Sequence, residues 1–289
     1  MPSLRTALSL SLALGAASGC KGCGHDAQPP ADAPTATAPA ASSAASADAP
    51  PPANRTALPE YRVPRVADGA IAIDGTLAEA GWASAPWSDA FVSPGNGEYH
   101  AASPVNARFR MAWDARALYF AVEVADAAAS SSNARDAVDP HIWATASGIE
   151  LMLQPGNHGD NLGYYEVQVD TAEAVWDTRF DDYNRPIEGE GDARTFGHQS
   201  WDAQLERRVT VTAGTGYVVE AALPWTALAG ARAPAPPPAN DTWRANVYAF
   251  RDGQRHATAW SPIMGEGNFH RSSRFGMLVF TTSAPEGSE

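Results

Sequence analysis

The clearest order in the chain is an alternation of apolar and polar residues with a period of two. In VNARFRMAW (105–113), Val105, Ala107, Phe109, Met111 and Trp113 alternate with Asn106, Arg108 and Arg110, the pattern of a strand with one buried face. ALYFAVEVAD (117–126) alternates Leu118, Phe120, Val122 and Val124, and Asp114-Ala115-Arg116 between the two runs has the length of a hairpin loop. Further strands are predicted at 149–153, 164–170, 174–180, 203–212, 217–223, 243–250 and 275–280, separated by Gly, Pro and Asp turns. Short strands so punctuated predict an all-β fold, an antiparallel β-sandwich. Only two short helices are expected. TLAEAGW (76–82) spaces Thr76 and Glu79 as a capping box after Asp74-Gly75, and PWTALAG (224–230) opens on Pro224. APAPPPAND (233–241) reads as a loop.

The pattern stops short of the N-terminus. Arg5, the apolar run 6–17 and the small residues before Cys20 have the layout of a secretion signal occupying 1–19. A cysteine directly after such a run resembles the lipobox of bacterial lipoproteins, which implies lipidation of Cys20. Residues 20–59 are mostly Ala, Pro, Ser and Thr. Such a segment buries too little apolar surface to offset its conformational entropy, and its prolines stiffen it, so it reads as a tether. Lys21 follows the cysteine rather than Asp, which under the enterobacterial sorting rule implies the outer membrane. The folded body is placed at 60–282, with a short disordered tail at 283–289.

Both cysteines, Cys20 and Cys23, lie in the tether. Cys20-Lys21-Gly22-Cys23-Gly24-His25 is one residue too long for covalent haem attachment. Three local ligands are too few for structural zinc, and no βαβ scaffold surrounds the pair for dithiol chemistry. Cys23 is read as an incidental thiol. Asn54 opens an N-R-T sequon, which carries no weight in a bacterial lipoprotein.

Charge narrows the partners. Twenty Lys and Arg against 33 Asp and Glu give a net charge of −13, which disfavours nucleic acid and anionic lipid surfaces. Membrane contact is therefore expected through the N-terminal lipid only, since no later apolar run approaches the roughly 20 residues needed to cross a bilayer. All nine tryptophans fall between Trp82 and Trp260, and the body has no cysteine, so it must stand on its core alone.

IDGTLAEAGWASAPW (73–87) resembles the opening I-D-G-x-x-D/E-x-x-W of family 9 carbohydrate-binding modules. Seven later blocks agree with that family in order: 109–126, 139–145, 148–153, 164–170, 175–177, 216–225 and 259–280. The resemblance implies a β-sandwich related to DOMON domains, binding of sugars, in several members at glycan chain ends, and structural calcium. Sugar binding calls for flat aromatic platforms with a few polar groups between them. The family grips its ligand between two aromatics, and Trp143 in DPHIWAT matches the first. Phe269 in GNFHRSSRFG stands where the best-known members have the second tryptophan. By the same resemblance Glu150, Gln168 and Tyr248 supply hydrogen bonds from strand ends, with His270, His141 and Trp176 as further contacts.

Trp82, Trp87, Trp113, Trp201, Trp225 and Trp243 are expected in the core, and Glu220 is read as a structural carboxylate. Asp126, Asp136 and Asp139, with Asp181 and Asp182, lie in loops of the type calcium uses, although no D-x-D-x-D-G loop is present. No haem is expected: nothing fixes a Met/His pair among Met111, Met152, Met264, His141 and His270. The leading expectation is a non-catalytic, lipid-anchored protein that binds sugar or glycan ends and supports polysaccharide degradation. The alternatives are a scaffold that has lost sugar binding, a haem-binding electron-transfer domain, and a glycoside hydrolase, whose two carboxyls would have to stand about 5–9 Å apart.

Overall fold

In the computed structural model the described residues are 54–188, 194–251, 253–265 and 268–282. The signal segment, Cys20, Cys23, most of the tether and the tail 283–289 lie outside them. The described residues form thirteen strands: β1 (Glu60–Pro64), β2 (Asn106–Trp113), β3 (Ala117–Ala125), β4 (Gly148–Gln154), β5 (Leu162–Asp170), β6 (Val175–Asp182), β7 (Ile187–Glu188), β8 (Arg194–Thr195), β9 (Glu206–Thr212), β10 (Gly216–Pro224), β11 (Thr242–Arg251), β12 (His256–Ala259) and β13 (Gly276–Thr281).

They make two principal sheets. The larger runs β1-β13-β11-β4-β5-β6, with β12 also on β11; the smaller runs β2-β3-β10-β9; β7 and β8 pair separately. All pairs are antiparallel except β1 with β13.

Strand parity builds the sandwich. On β4, Ile149, Leu151 and Leu153 face the inter-sheet core, as do Tyr165, Val167 and Val169 on β5 and Ala245, Val247 and Ala249 on β11. The smaller sheet answers with Phe109, Met111 and Trp113 of β2, Leu118, Phe120 and Val122 of β3, and Val219 and Leu223 of β10. Phe109 meets Trp260 edge-on at 5.1 Å, and Trp243 packs on Phe280 at 5.1 Å. Each large side chain so buried contributes roughly 1.5–3 kcal/mol relative to exposure.

The opposite faces are also occupied. Residues Met152, Tyr164, Trp176, Phe180, Tyr248 and Phe250 form a second apolar cluster on the outer face of the larger sheet. On the smaller sheet, Ile71, Ile73 and Trp82 pack over Ala112, Tyr119, Ala121 and Ala222. There Glu220 is buried, yet its carboxylate accepts from Trp82 Nε1 at 2.8 Å, Gly75 N at 2.7 Å and Asp74 N at 3.0 Å. The carboxylate therefore ties the 74–82 segment to β10, the structural role expected of it.

Several local expectations are corrected. Helix 76–82 shrinks to one turn, α1 (Ala80–Ala83). The capping box does not form because Asp74 Oδ1 takes both the amide and the hydroxyl of Thr76, each at 2.8 Å, while Glu79 Oε1 accepts from Ala72 N at 3.3 Å. The 224–230 helix is a 3₁₀ turn over Trp225–Leu228. One further turn of helix, α2 (Ile142–Thr145), forms in DPHIWAT, for which the sequence predicts no regular element. Trp87 and Trp201 are half-buried rather than core; Arg110 and Arg108 lie over the Trp87 ring at 3.8 and 4.4 Å.

The body also starts before residue 60. Asn54 Oδ1 accepts from Tyr99 N at 3.1 Å, and Arg55 N donates to Gly97 O at 2.7 Å. Gly97 has φ 74°, and a Cβ there would stand 1.9 Å from Arg55 O, so only glycine admits this approach.

Removing the Glu220 carboxylate leaves three donors without their acceptor. Glu220→Ala should cost about 2–3 kcal/mol in chemical denaturation, and a loss below about 0.5 kcal/mol would contradict the role given to it.

Candidate functional site

The outer face of the larger sheet carries polar residues in the middle of an otherwise apolar cluster. Pairing aligns them in rows. Tyr248 of β11 is opposite Glu150 of β4, Glu150 opposite Gln168 of β5, and Gln168 opposite Trp176 of β6. The next row places Met152, Glu166 and Thr178 side by side. The four strand residues singled out in the sequence thus form one ladder across four strands.

Three loops build walls on this floor. Helix α2 raises Trp143, whose ring meets Trp176 edge-on at 4.8 Å and is stacked by His141 at 4.6 Å. The 268–270 segment brings Phe269, stacked on Tyr248 at 4.0 Å, and His270, stacked on Tyr183 at 3.7 Å. The 194–199 segment docks on β6, with His198 N donating to Arg179 O at 2.8 Å. Gly197 lies against Thr178 and Phe180; a Cβ there would be 2.5 Å from Thr178 Oγ1. The cleft between these walls has a volume of about 380 Å³.

Gln168 organises the floor. Its Nε2 donates to Glu166 Oε1 at 2.7 Å and to Glu150 Oε2 at 3.0 Å, and its Oε1 accepts from Trp143 N at 3.1 Å. One amide thereby holds two carboxyls and the helix that carries the main aromatic wall. Both of its protons are used, so its role is to position its neighbours. The remaining oxygens, Glu150 Oε1 and Glu166 Oε2, are buried without a partner, as are Trp176 Nε1 and Thr178 Oγ1.

Burial and the neighbouring Glu166 raise the Glu150 carboxyl well above the usual range, against the Gln168 hydrogen bond. Burial likewise raises Glu166. Burial pushes His270 down to about 3. Its Nδ1 is hydrogen-bonded with Tyr164 Oη at 2.7 Å, and its Nε2 lies 3.8 Å from Glu166 Oε2.

Of the eight residues singled out as contacts, His141, Trp143, Glu150, Gln168, Trp176, Phe269 and His270 line the cleft. Tyr248 is corrected: it is fully buried beneath Phe269, and its hydroxyl donates to Phe269 O at 3.2 Å. Sequence reading missed Thr178, Tyr183, Phe196 and Gln254 as lining groups and gave Glu166 no place in binding. For Glu166 and Thr178 a signal was present, since each is two residues from a selected residue on the same strand face.

The acidic residues read as a calcium set do not converge. Asp126 is buried, with its carboxylate taken by Arg251 at 2.7 Å and Ala128 N at 3.0 Å. Asp136 is exposed. Asp139 is raised by burial, with Asp177 N as hydrogen-bond donor and Asp202 as charged neighbour. Asp181 is taken by His198 at 2.6 Å and Asp182 by Arg185 at 3.3 Å. Among the described residues no three His, Cys, Asp or Glu side chains are grouped to hold a metal ion, so these residues do not fit a shared calcium site. Met111, read among possible haem ligands, sits in the inter-sheet core, whereas His141 and His270 line the cleft.

Comparison with known proteins agrees with this architecture. The fold is similar to a family 9 carbohydrate-binding module from Caldicellulosiruptor kristjanssonii in complex with glucose, with a TM-score of 0.51 and 17% identity over 80% of this chain and 100% of that one. It is also similar to a proposed carbohydrate-binding protein from Bacteroides uniformis ATCC 8492, with a TM-score of 0.53 and 16% identity over 78% of this chain and 100% of that one. No curated protein matches the sequence. The family model described as carbohydrate family 9 binding domain-like matches residues 73–282. The chain belongs to that family.

Proposed function

We propose that the protein is a non-catalytic, lipid-anchored carbohydrate-binding protein of the bacterial outer membrane, which holds a sugar or glycan end in the cleft and supports polysaccharide degradation. The observation that carries this reading is the combination, in one cleft, of aromatic walls at Trp143 and Phe269 with buried polar atoms that lack partners: Glu150 Oε1, Glu166 Oε2, Trp176 Nε1 and Thr178 Oγ1. A pyranose offers the complement, with C–H faces for the rings and hydroxyls for the orphaned groups. Its hydroxyls can donate to a carboxylate oxygen or accept from the indole N–H. The glucose bound by the similar Caldicellulosiruptor kristjanssonii module supports sugar as the ligand class, and membership in a carbohydrate-binding family supports binding as the task.

The anchor is read from Cys20, which follows a signal-like run, and from the Ala/Pro-rich composition after it.

Titration of the protein with glucose, cello-oligosaccharides and a wider glycan panel, followed by tryptophan fluorescence, tests the binding. Trp143→Ala should weaken the best ligand by about ten- to a hundredfold, or roughly 1.4–2.7 kcal/mol. The absence of any saturable response, or an unchanged Trp143→Ala titration, would remove the basis of the reading. Metabolic labelling with a tagged palmitate analogue checks the anchor: label should be lost in Cys20→Ala, and equal labelling of both forms would count against it.

The carboxyl pair also predicts a pH dependence. Both carboxyls titrate higher in the folded chain than unfolded, so the folded protein binds more protons and is stabilised below the unfolded value of about 4.3. That contribution is lost as pH rises from the ordinary carboxylate range through neutrality. The melting temperature of the ligand-free protein should fall more steeply over this window in wild type than in a Glu150→Gln/Glu166→Gln double variant; parallel curves would refute the link.

A further inference from the structure

We propose that the preferred ligand is an amino sugar, a glycan residue carrying a protonated primary amine, with its ammonium seated on Glu150 and Glu166. This rests on the sugar-binding reading and names the chemical class within it. Two buried carboxyls share the Gln168 amide, Glu150 Oε2 also receives Gln254 Nε2 at 3.4 Å, and each carboxyl retains an oxygen without a hydrogen-bond partner. None of the described residues lining the cleft is Arg or Lys. The remaining basic group beside the pair, His270, has its Nε2 3.8 Å from Glu166 Oε2, beyond hydrogen-bond reach, and its Nδ1 engaged with Tyr164 Oη at 2.7 Å.

Buried carboxyls without a counter-charge are costly, and a Gln at either position would remove that cost with little change in shape. The arrangement becomes favourable when the cation arrives with the ligand. The walls suit the same charge: Trp143, Trp176 and Phe269 flank the floor, and aromatic faces attract an ammonium where water is excluded. The neutral sugar ring would use the same rings for its C–H faces. The net charge of −13 on the chain draws cationic glycans in the same direction.

The proton balance follows from the groups that face the pair. These are Tyr164 on β5, Tyr248 on β11, Tyr183 after β6 and His270 in the 268–270 segment, with His141 stacked on Trp143. Burial raises the three tyrosines and lowers His270, so all four are neutral near pH 7. In the ligand-free cleft the carboxyl pair holds a proton. When an ammonium enters, that proton leaves to solvent and the pair takes the negative charge that matches the ligand.

Isothermal titration of the full chain with glucosamine, N-acetylglucosamine and glucose, at a pH where the glucosamine amine is protonated, tests this. Glucosamine should bind at least tenfold more tightly than the other two. Its apparent heat should change between buffers of different ionisation enthalpy, reporting the released proton. The Glu150→Gln/Glu166→Gln variant, checked for folding by its melting curve, should lose the preference. Glucose or N-acetylglucosamine binding as tightly as glucosamine would overturn the amino-sugar assignment and leave the carbohydrate reading standing. Tight glucosamine binding without proton release would overturn the carboxyl pair as the seat. Failure of all sugars in the panel would overturn both readings.

Discussion

The arrangement depends on the register of four neighbouring strands, β11, β4, β5 and β6. Side chains alternate faces, so a slip of one residue in any of them would carry its polar residues into the sandwich core and its core residues into the cleft. Ile149, Leu151 and Leu153 on one face of β4, with Tyr165, Val167 and Val169 on β5, make that slip prohibitively costly. The apolar core therefore does more than hold the sheets together. It aligns Glu150, Gln168 and Trp176 into one row, and Met152, Glu166 and Thr178 into the next.

Buried glutamates appear on the outer faces of both sheets, and their surroundings separate structure from binding. Glu220 receives three donors and fastens the 74–82 segment to the smaller sheet. Glu150 and Glu166 share the Gln168 amide and keep oxygens without partners. A chain selected for stability alone would satisfy or replace such groups. Their persistence at the base of an aromatic-walled cleft is the physical reason to place ligand recognition there. Gln168 extends the same logic to the walls, because its carbonyl holds the backbone of Trp143.

The strands were legible wherever one face was wholly apolar, as in 105–113 and 117–126, whose observed bounds differ from those read by a residue at one end. β1 and β12 escaped because EYRVP and HATA are too short or too weakly apolar to show a period. The capping box failed because Asp74 competed for Thr76, a contest between neighbours that spacing does not rank. Of the site, the residues matched through family resemblance largely meet at the cleft. The sequence could not tell Tyr248, a buried support, from Phe269 lying on it. Nor could it show that Asp126 is already committed to Arg251, since that pairing joins loops and strands 125 residues apart. Glu166 was legible in principle through its spacing from Gln168 on β5, but its meaning came only with the missing partner.

A ligand recognised by this cleft sits on the β4–β5–β6 floor against Trp143. A crystal structure of the protein soaked with a short oligosaccharide would show that placement. A terminal sugar ring is expected to pack on Trp143, with polar groups reaching Glu150 or Glu166 within hydrogen-bond distance, about 2.6–3.2 Å. A sugar bound elsewhere on the surface, with this cleft filled only by water, would contradict it.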